Sequence, residues 1–271
     1  MKLNEDNIRY LQSFIKTKTG IALESDKNYL LESRITPIAR KFGLKSFDEL
    51  ITKIRINTPE IINSVIDAIT TNETYFFRDI KPFEFFQKNT LSDIVANTPN
   101  SATIKILSSA CSSGQEAYSL AMLLNESKIK LNGRDFFIKG FDLSPVMVER
   151  ARQGIFNQFE VQRGLQINYL IKYFQKIDEN NWKIKDDIKK KCSFYEANLL
   201  SELPENDEFD CIFARNVLIY FDDNTKRLVL NNLISKLKKG GSIYLGSSET
   251  LNILPEKLHQ TPDFRSVYKK I

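Results

Sequence analysis

Three short stretches of this chain carry the residue types that a nucleoside-binding site needs. The first, Ser109-Ala110-Cys111-Ser112-Ser113-Gly114, is a run of small residues followed by a carboxylate at Glu116. Small side chains let a ligand approach the backbone, and free N–H groups at a helix start favour anionic groups. Glu116, in the first turn of the helix that follows, is placed to pair with a ligand ammonium. The same run also suits a plain capped helix start. The second is Asp142, directly after the apolar run Phe136–Phe141. A carboxylate at a strand end can accept both hydroxyls of a ribose. Asp is equally a good helix N-cap, although Ser144, before Pro145, competes for that task. The third is Arg215-Asn216-Val217, which follows the apolar run Cys211–Ala214 and either lines a pocket or forms an ordinary loop. Together they suggest a nucleoside cofactor without separating nicotinamide dinucleotide from S-adenosylmethionine. The Gly-x-Gly-x-x-Gly fingerprint is absent, which argues mildly against the dinucleotide.

Other chemistries are disfavoured by what the chain contains. Its one histidine, His259, reads as a surface loop residue, so a His-based zinc site or a Ser-His-Asp triad is not expected. Cys111, Cys192 and Cys211 are far apart and odd in number, with neither metal-ligand nor disulfide spacing. Hydrophobic residues make up 42% and charged residues 27% of 271, the balance of a soluble globular protein with room for two domains. The net charge of +5 is mild beside that of a dedicated duplex binder and fits an acidic partner as well. The start of the chain, Met1-Lys2-Leu3-Asn4-Glu5-Asp6, is charged and unlike a signal peptide. No apolar run approaches the ~20 residues of a membrane span. The expected setting is cytoplasmic, without nucleic acid or membrane insertion.

The elements that must position these residues fall into two patterns. Residues 1–90 read as all-helical. Asn4 caps a helix carrying Ile8, Leu11, Phe14 and Ile15. A second helix from about Asp26 buries Leu31, Ile35, Ile38 and Phe42, is kinked by Pro37 and stops at Gly43. Shorter helices follow at Ser46–Arg55 and Pro59–Ile69. Residues 91–103, polar and turn-rich from Asn97, read as a linker. From residue 104 to 271 strands alternate with helices: strands at Ile104–Ser108, Phe136–Phe141, Ser193–Glu196, Cys211–Ala214, Ser242–Gly246 and Arg265–Lys269, and helices at Ala117–Leu124, Pro145–Arg152 and Asn224–Lys238, the last ended by Gly240-Gly241. Such alternation implies an α/β fold, a doubly wound, mostly parallel sheet with helices on both faces. Residues 157–191 break the pattern. Trp182-Lys183-Ile184 there suggests an edge hairpin, and the stretch reads as a small inserted β-subdomain between the second and third strands.

Read together, the motifs resemble the CheR family of chemotaxis receptor methyltransferases. The matching segments are Thr70-Thr71-Asn72-Glu73-Thr74-Tyr75-Phe76-Phe77-Arg78, Ser109–Ser119, Phe141-Asp142-Leu143-Ser144, Asn198-Leu199-Leu200, the run from Phe209 to Asp222 containing Arg215-Asn216-Val217-Leu218-Ile219-Tyr220, and Gly240–Leu251. They stand in family order over nearly the whole chain, and the run ending Asn216–Asp222 is the most specific. The resemblance implies a helical N-terminal domain, a linker, and a Rossmann-like methyltransferase domain with a small β-subdomain. It implies S-adenosyl-L-methionine as cofactor, S-adenosyl-L-homocysteine as product, no metal, and a reaction that esterifies glutamate side chains of chemotaxis receptors. By the family pattern Asn72, Thr74 and Arg78 reach the cofactor from the N-terminal side, Glu116 lies at its methionine end and Asp142 at its ribose. Asn198, Leu199, Asn216 and Val217 complete the pocket, and Arg78 and Tyr220 lie near the transferring methyl.

The chain departs from the family in two places. Gly114-Gln115-Glu116-Ala117 stands where Gly-Glu-Glu-Pro is common, which keeps the second carboxylate and puts the rigidity of the loop in question. The turn Lys176-Ile177-Asp178-Glu179-Asn180-Asn181-Trp182 lacks the glycine through which some members recognise a receptor's C-terminal pentapeptide. Docking without that tether is therefore expected. A carboxylate acceptor with pKa about 4.3 is roughly 500-fold more ionised than protonated at pH 7, so no general base is needed. Arg78 would orient the acceptor and Tyr220 hold it by a hydrogen bond; Tyr220 is otherwise a half-buried aromatic beside Phe221. Lys27, Arg34 and Lys41, spaced by seven, form a basic stripe that either meets acidic receptor helices or is a solvated face. Methyl transfer to another acceptor, and a non-catalytic module that senses S-adenosylmethionine, are the alternatives.

Overall fold

The computed structural model describes residues 3–23, 28–204, 207–249, 251 and 255–271. The first described elements are four helices with a core of their own: α1 (Glu5–Thr19), α2 (Asn28–Lys41), α3 (Phe47–Arg55) and α4 (Pro59–Ile69). The Asn4 side chain accepts a hydrogen bond from the Asn7 N–H and caps α1, whose buried Asn7, Leu11, Ile15 and Thr19 fall four apart on one stripe. Gly20, at φ 76°, ends that helix in the left-handed conformation that glycine adopts without a Cβ penalty. The expected start of α2 at Asp26 lies outside the described residues. The helix continues through an exposed Pro37 and buries Leu31, Ile35, Ile38 and Ala39.

Residues 70–80 are without regular secondary structure and lead to α5 (Lys81–Phe85), a π-helical turn (Phe86–Thr90) and α6 (Leu91–Asn97). The expected linker is therefore helical through Asn97. Phe83, Phe86, Leu91 and Ile94 are buried against the sheet that follows rather than in the four-helix core, so the helices after Ile80 belong to the second unit. Their apolar spacing is helical, but spacing cannot say which core the apolar side meets.

That second unit is built on a seven-stranded sheet in the order β6-β2-β1-β7-β8-β10-β9: β1 (Ile104–Ser109), β2 (Phe136–Asp142), β6 (Cys192–Glu196), β7 (Phe209–Ala214), β8 (Leu237–Leu245), β9 (Leu258–Gln260) and β10 (Val267–Lys270). The pairs β2–β6, β1–β2, β1–β7 and β7–β8 are parallel, and β10 is antiparallel to both its neighbours. Alternation sends Ile104, Ile106, Phe136 and Ile138 to one face with α7 (Gln115–Glu126) and α9 (Pro145–Gln153). Leu107, Phe141 and Ile212 go to the other with α13 (Asp223–Ser235). The crossover from β1 outward to β2 on one side and to β7 on the other makes the carboxyl ends of β1, β2 and β7 the switch point where such sheets hold ligands.

Two expectations near the end of the chain are corrected. The long helix stops at Ser235, and Gly240-Gly241 lies inside β8 instead of ending the helix. Leu237 pairs with Phe209 but Ser242 pairs with Cys211, so β8 bulges between them. Gly240 (φ 75°) takes the left-handed position, and a Cβ at Gly241 would lie 3.0 Å from the Asp210 carbonyl oxygen. His259 lies exposed on the edge strand β9, not in a loop.

The insertion between β2 and β6 forms a three-stranded antiparallel sheet in the order β3-β5-β4, from β3 (Ile155–Asn157), β4 (Phe174–Lys176) and β5 (Asn181–Ile184), with α10 (Gln158–Gln162) and α11 (Ile167–Tyr173); the short α12 (Asp186–Lys189) leads on to β6, as the short α8 (Lys128–Leu131) lies between α7 and β2. Trp182-Lys183-Ile184 is its central strand, not an edge hairpin, because β5 pairs with both neighbours. Among the described residues no helix is long and apolar enough to cross a membrane.

Candidate active site

A cleft opens at the carboxyl ends of β1, β2 and β7. Its floor is the loop after β1. Ala110 (φ 51°), Ser112 (φ 49°) and Gly114 (φ 91°) are all left-handed there, which folds the loop back on itself ahead of α7. The residues expected to form the site, Asn72, Thr74, Arg78, Glu116, Asp142, Asn198, Leu199, Asn216, Val217 and Tyr220, all line this one cleft.

Asp142 ends β2. Its Oδ2 accepts a hydrogen bond from the Ser112 N–H at 2.7 Å and its Oδ1 one from the Ser144 N–H at 2.9 Å. The competition for the cap of α9 is settled in favour of Ser144, whose Oγ accepts from the Met147 N–H at 3.1 Å. Asp142 is 6% exposed, and burial raises its pKa against the lowering effect of those backbone donors. An ionised carboxylate has about four acceptor positions, so acceptor capacity remains for a ligand.

Glu116 is placed differently from the expectation that its carboxylate waits for a ligand. Oε1 accepts from the Ser108 hydroxyl at 2.8 Å and Oε2 from Arg215 Nη1 at 3.0 Å. The Arg215 side chain is 1% exposed. Its Nη2 reaches the Arg78 carbonyl oxygen at 2.8 Å and Asp79 Oδ2 at 2.7 Å, and its guanidinium lies 5.6 Å from the Phe83 ring centroid. Arg215 Nε is buried and has no hydrogen-bond partner. A buried cation needs pairing, and no spacing in the sequence signals that one residue joins α7, β7 and the 70–80 segment.

Arg78 Nη1 donates to the Glu73 carbonyl oxygen at 2.8 Å. Asn72 touches the floor through its own carbonyl, which accepts from Ser112 Oγ at 2.9 Å. Asn198 Nδ2 donates to the Lys18 carbonyl oxygen at 2.8 Å, so the end of α1 forms part of the wall with Thr19 and Ile21. Glu249 is a functional support that sequence reasoning missed. Buried at 5% exposure, its carboxylate accepts from the N–H groups of Asn216 (2.8 Å), Ile219 (3.2 Å) and Gly246 (2.6 Å). It holds Asn216, at φ 58°, in the left-handed turn that presents Val217 and Tyr220 to the cleft.

The donor and acceptor set matches S-adenosylmethionine in chemical type. The buried Asp142 carboxylate offers acceptors for ribose hydroxyls, Glu116 adds negative charge for an ammonium while paired with Arg215, apolar Phe141 and Leu199 line the walls, and the unpartnered Arg215 Nε and the Arg78 guanidinium are donors for a carboxylate. Among the described residues no group of three His, Cys, Asp or Glu side chains could hold a metal ion.

Comparison with known proteins agrees over both units. The family described as "CheR methyltransferase, all-alpha domain" matches residues 6–70, and "CheR methyltransferase, SAM binding domain" matches residues 72–265. The chain is 37% identical over 246 residues to chemotaxis protein methyltransferase 1 of Pseudomonas aeruginosa, covering 90% of this chain and 89% of that one. It is 36% identical to the chemotaxis protein methyltransferase of Vibrio parahaemolyticus (94% and 93% covered) and 34% identical to that of Borreliella burgdorferi (93% and 90% covered). The chain belongs to the CheR family of S-adenosylmethionine-dependent protein-glutamate methyltransferases of chemotaxis.

Proposed function

We propose that the protein methylates glutamate side-chain carboxylates of cytoplasmic chemotaxis-receptor helices for sensory adaptation, giving methyl esters and S-adenosylhomocysteine. One observation carries this choice of acceptor. Among the described residues the cleft lining holds no histidine or lysine, and its one thiol, Cys111, is kept neutral because burial pushes its pKa well up. His259 lies in a separate surface depression beside Asp93 and Lys269. A lining without histidine or lysine, whose carboxylates Asp142 and Glu116 are already engaged by backbone N–H groups and by Arg215, suits a nucleophile that arrives already ionised, as a carboxylate does at neutral pH.

Bound S-adenosylmethionine supplies an electrophilic sulfonium methyl. Asp142 would hold the ribose hydroxyls through its remaining lone pairs, and Glu116, while paired with Arg215, would face the ammonium. Asn72, Thr74, Asn198, Leu199, Asn216 and Val217 close the pocket around them. Arg78 turns the acceptor carboxylate into line, and the Tyr220 hydroxyl holds it there. Opposite charges cancel as the methyl moves, so tight pairing with Arg78 would stabilise the ground state more than the transition state. Its contribution is alignment, and the cleft walls add exclusion of water.

Two features support docking without a C-terminal pentapeptide tether, through the N-terminal helices. The β4–β5 turn is closed on itself, with Asp178 Oδ1 accepting from the N–H groups of Asn180 and Asn181 at 2.8 Å each. On α2 Lys41 is exposed, while Arg34 is partly engaged by the carbonyl oxygens of Ala68 and Ile69; Lys27 lies outside the described residues.

The test is transfer of labelled methyl groups to receptor-containing membranes, scored as methanol released by base. Label that stays bound in base would point to another acceptor. Saturable, tight binding of a receptor C-terminal pentapeptide would overturn the untethered docking.

A further inference from the structure

The segment that carries Arg78 is held in an unfavourable conformation. Phe77 (φ 50°), Asp79 (φ 68°) and Ile80 (φ 43°, ψ −54°) all have positive φ, and no glycine is among them. Such values are uncommon for residues with a Cβ and are outliers for a β-branched side chain like that of Ile80. They persist only where the surroundings over-determine them. The Phe77 end has its own anchors: its N–H donates to Ser119 Oγ at 2.9 Å, and its ring packs 5.3 Å from that of Phe83 and 5.1 Å from that of Tyr169. The Arg78–Asp79 end is tied to the sheet through Arg215, which donates to the Arg78 carbonyl oxygen and to the Asp79 carboxylate from one nitrogen. Arg215 is itself fixed from behind by Glu116 and Phe83.

We infer that Asp79 and Arg215 are positioning residues, a clamp that keeps the Phe77–Ile80 turn in its positive-φ conformation and so fixes where the Arg78 side chain enters the cleft. This rests on the reading of Arg78 as the residue that orients the acceptor. The Arg78 backbone is pinned to β7 by Arg215, and its guanidinium is pinned to the Glu73 carbonyl, so neither end is free to drift. Asp at position 79 suits both demands on it. Its carboxylate pairs with a buried cation, and its short polar chain tolerates the left-handed region better than most residues do.

The test compares Asp79→Ala with Asp79→Asn in the full chain. Asparagine keeps an acceptor oxygen and the left-handed tolerance; alanine keeps neither. Asp79 is exposed at the residue level and Arg215 keeps Glu116 as a partner, so both variants are expected to fold, Asp79→Asn with a melting temperature near that of the parent and Asp79→Ala with a lower one. At saturating cofactor, Asp79→Ala should lower kcat for base-labile methylation by roughly 10²-fold, the scale of an approximately 1 Å misplacement at a reacting centre, and Asp79→Asn should stay within about threefold of the parent. Hydrogen exchange gives a readout independent of turnover. The amides of residues 77–81 should exchange at least about tenfold faster in Asp79→Ala, and in Arg215→Lys, which cannot supply the fork of donors, but not in Asp79→Asn. Unchanged protection in Asp79→Ala overturns the clamp, as does an equal loss of kcat in both Asp79 variants. A parent enzyme that forms no base-labile ester overturns the proposed function instead, and the exchange of residues 77–81 still decides the clamp.

Discussion

The ammonium of Lys16, in the last turn of α1, lies 2.7 Å from the carboxylate of Asp222, which caps α13 directly after Phe221. Around that pair the four-helix unit is sewn to the loop that carries Tyr220. The Ala22 N–H donates to the Tyr220 carbonyl oxygen at 3.2 Å, Ile21 bridges Phe221, and Asn198 reaches the Lys18 carbonyl. The unit proposed to meet the receptor thus shares a backbone seam with the residue proposed to hold the acceptor.

The weight in this seam is steric rather than ionic. The Lys16–Asp222 pair is exposed, and exposed pairs contribute little. Asp222→Asn, which keeps the cap on the Thr225 N–H, should leave stability and turnover nearly unchanged. Gly20→Ala should do more. A Cβ there would sit 2.9 Å from Leu200 Cδ2 and 3.1 Å from Phe221 Cε1, on a backbone at φ 76°. A cost of about 1–2 kcal/mol is expected for the left-handed alanine. Thermal unfolding should show the midpoint fall by roughly 2–8 °C, and calorimetry should show weaker cofactor binding as the wall formed by Thr19 and Ile21 shifts.

Tyr220→Phe removes one hydroxyl and keeps the half-buried ring. If that hydroxyl holds the acceptor, kcat should fall about tenfold, the worth of one hydrogen bond. Cofactor affinity should not change. Undiminished turnover would remove the hydroxyl from the mechanism.

Asp142 gives the cofactor site a pH signature. Burial raises its pKa, so on acidification it takes up a proton earlier than an ordinary aspartate. The protonated carboxyl is a poorer acceptor for ribose hydroxyls. The dissociation constant of S-adenosylmethionine should therefore be flat above that raised value and rise as the pH falls through it, approaching about tenfold per pH unit. Stability of the free protein should respond with the opposite sign. A carboxyl that binds its proton more tightly folded than unfolded adds stability as the pH falls through the same range. Asp142→Asn should lose both responses in calorimetric titrations.

What was legible in the sequence is what local pattern can encode. Alternating apolar runs located β1, β2 and β7, because a strand buried on both faces reads as an unbroken apolar stretch. Ser144 before Pro145 was legible as a rival to Asp142 for the cap, and the structure gives the cap to Ser144. Glycine was less informative. Gly43 does follow α2, but Gly240-Gly241 marks a bulge inside β8, and single-residue chemistry does not separate a helix stop from a bulge. Phe83, Phe86 and Leu91 were legible as apolar, but which core they join is a tertiary fact. The ties of Arg215 to Glu116 and Asp79, and of Glu249 to Asn216, join positions distant in the chain, and nothing local in the sequence marks such pairs.

The proposed docking stripe on α2 is the place where the structure changes which experiment is informative. Arg34 lies partly buried, with Nη1 2.6 Å from the Ile69 carbonyl oxygen and 3.2 Å from that of Ala68. It satisfies carbonyls at the end of α4, where a cation is favourable. Arg34→Glu would put a carboxylate against those carbonyls, so a raised KM would mix lost docking with a damaged helix end. Lys41 is exposed, with its ammonium 5.4 Å from the Phe42 ring and no ion pair among the described residues. Lys41→Glu should therefore report on docking with little effect on thermal unfolding. KM for receptor should rise several-fold at low salt, on the order of 1 kcal/mol for one reversed rim charge. The difference should shrink as ionic strength rises and the screening length falls from about 30 Å at 0.01 M to about 3 Å at 1 M. A KM that is unchanged at low salt would exclude this face of α2 from receptor docking.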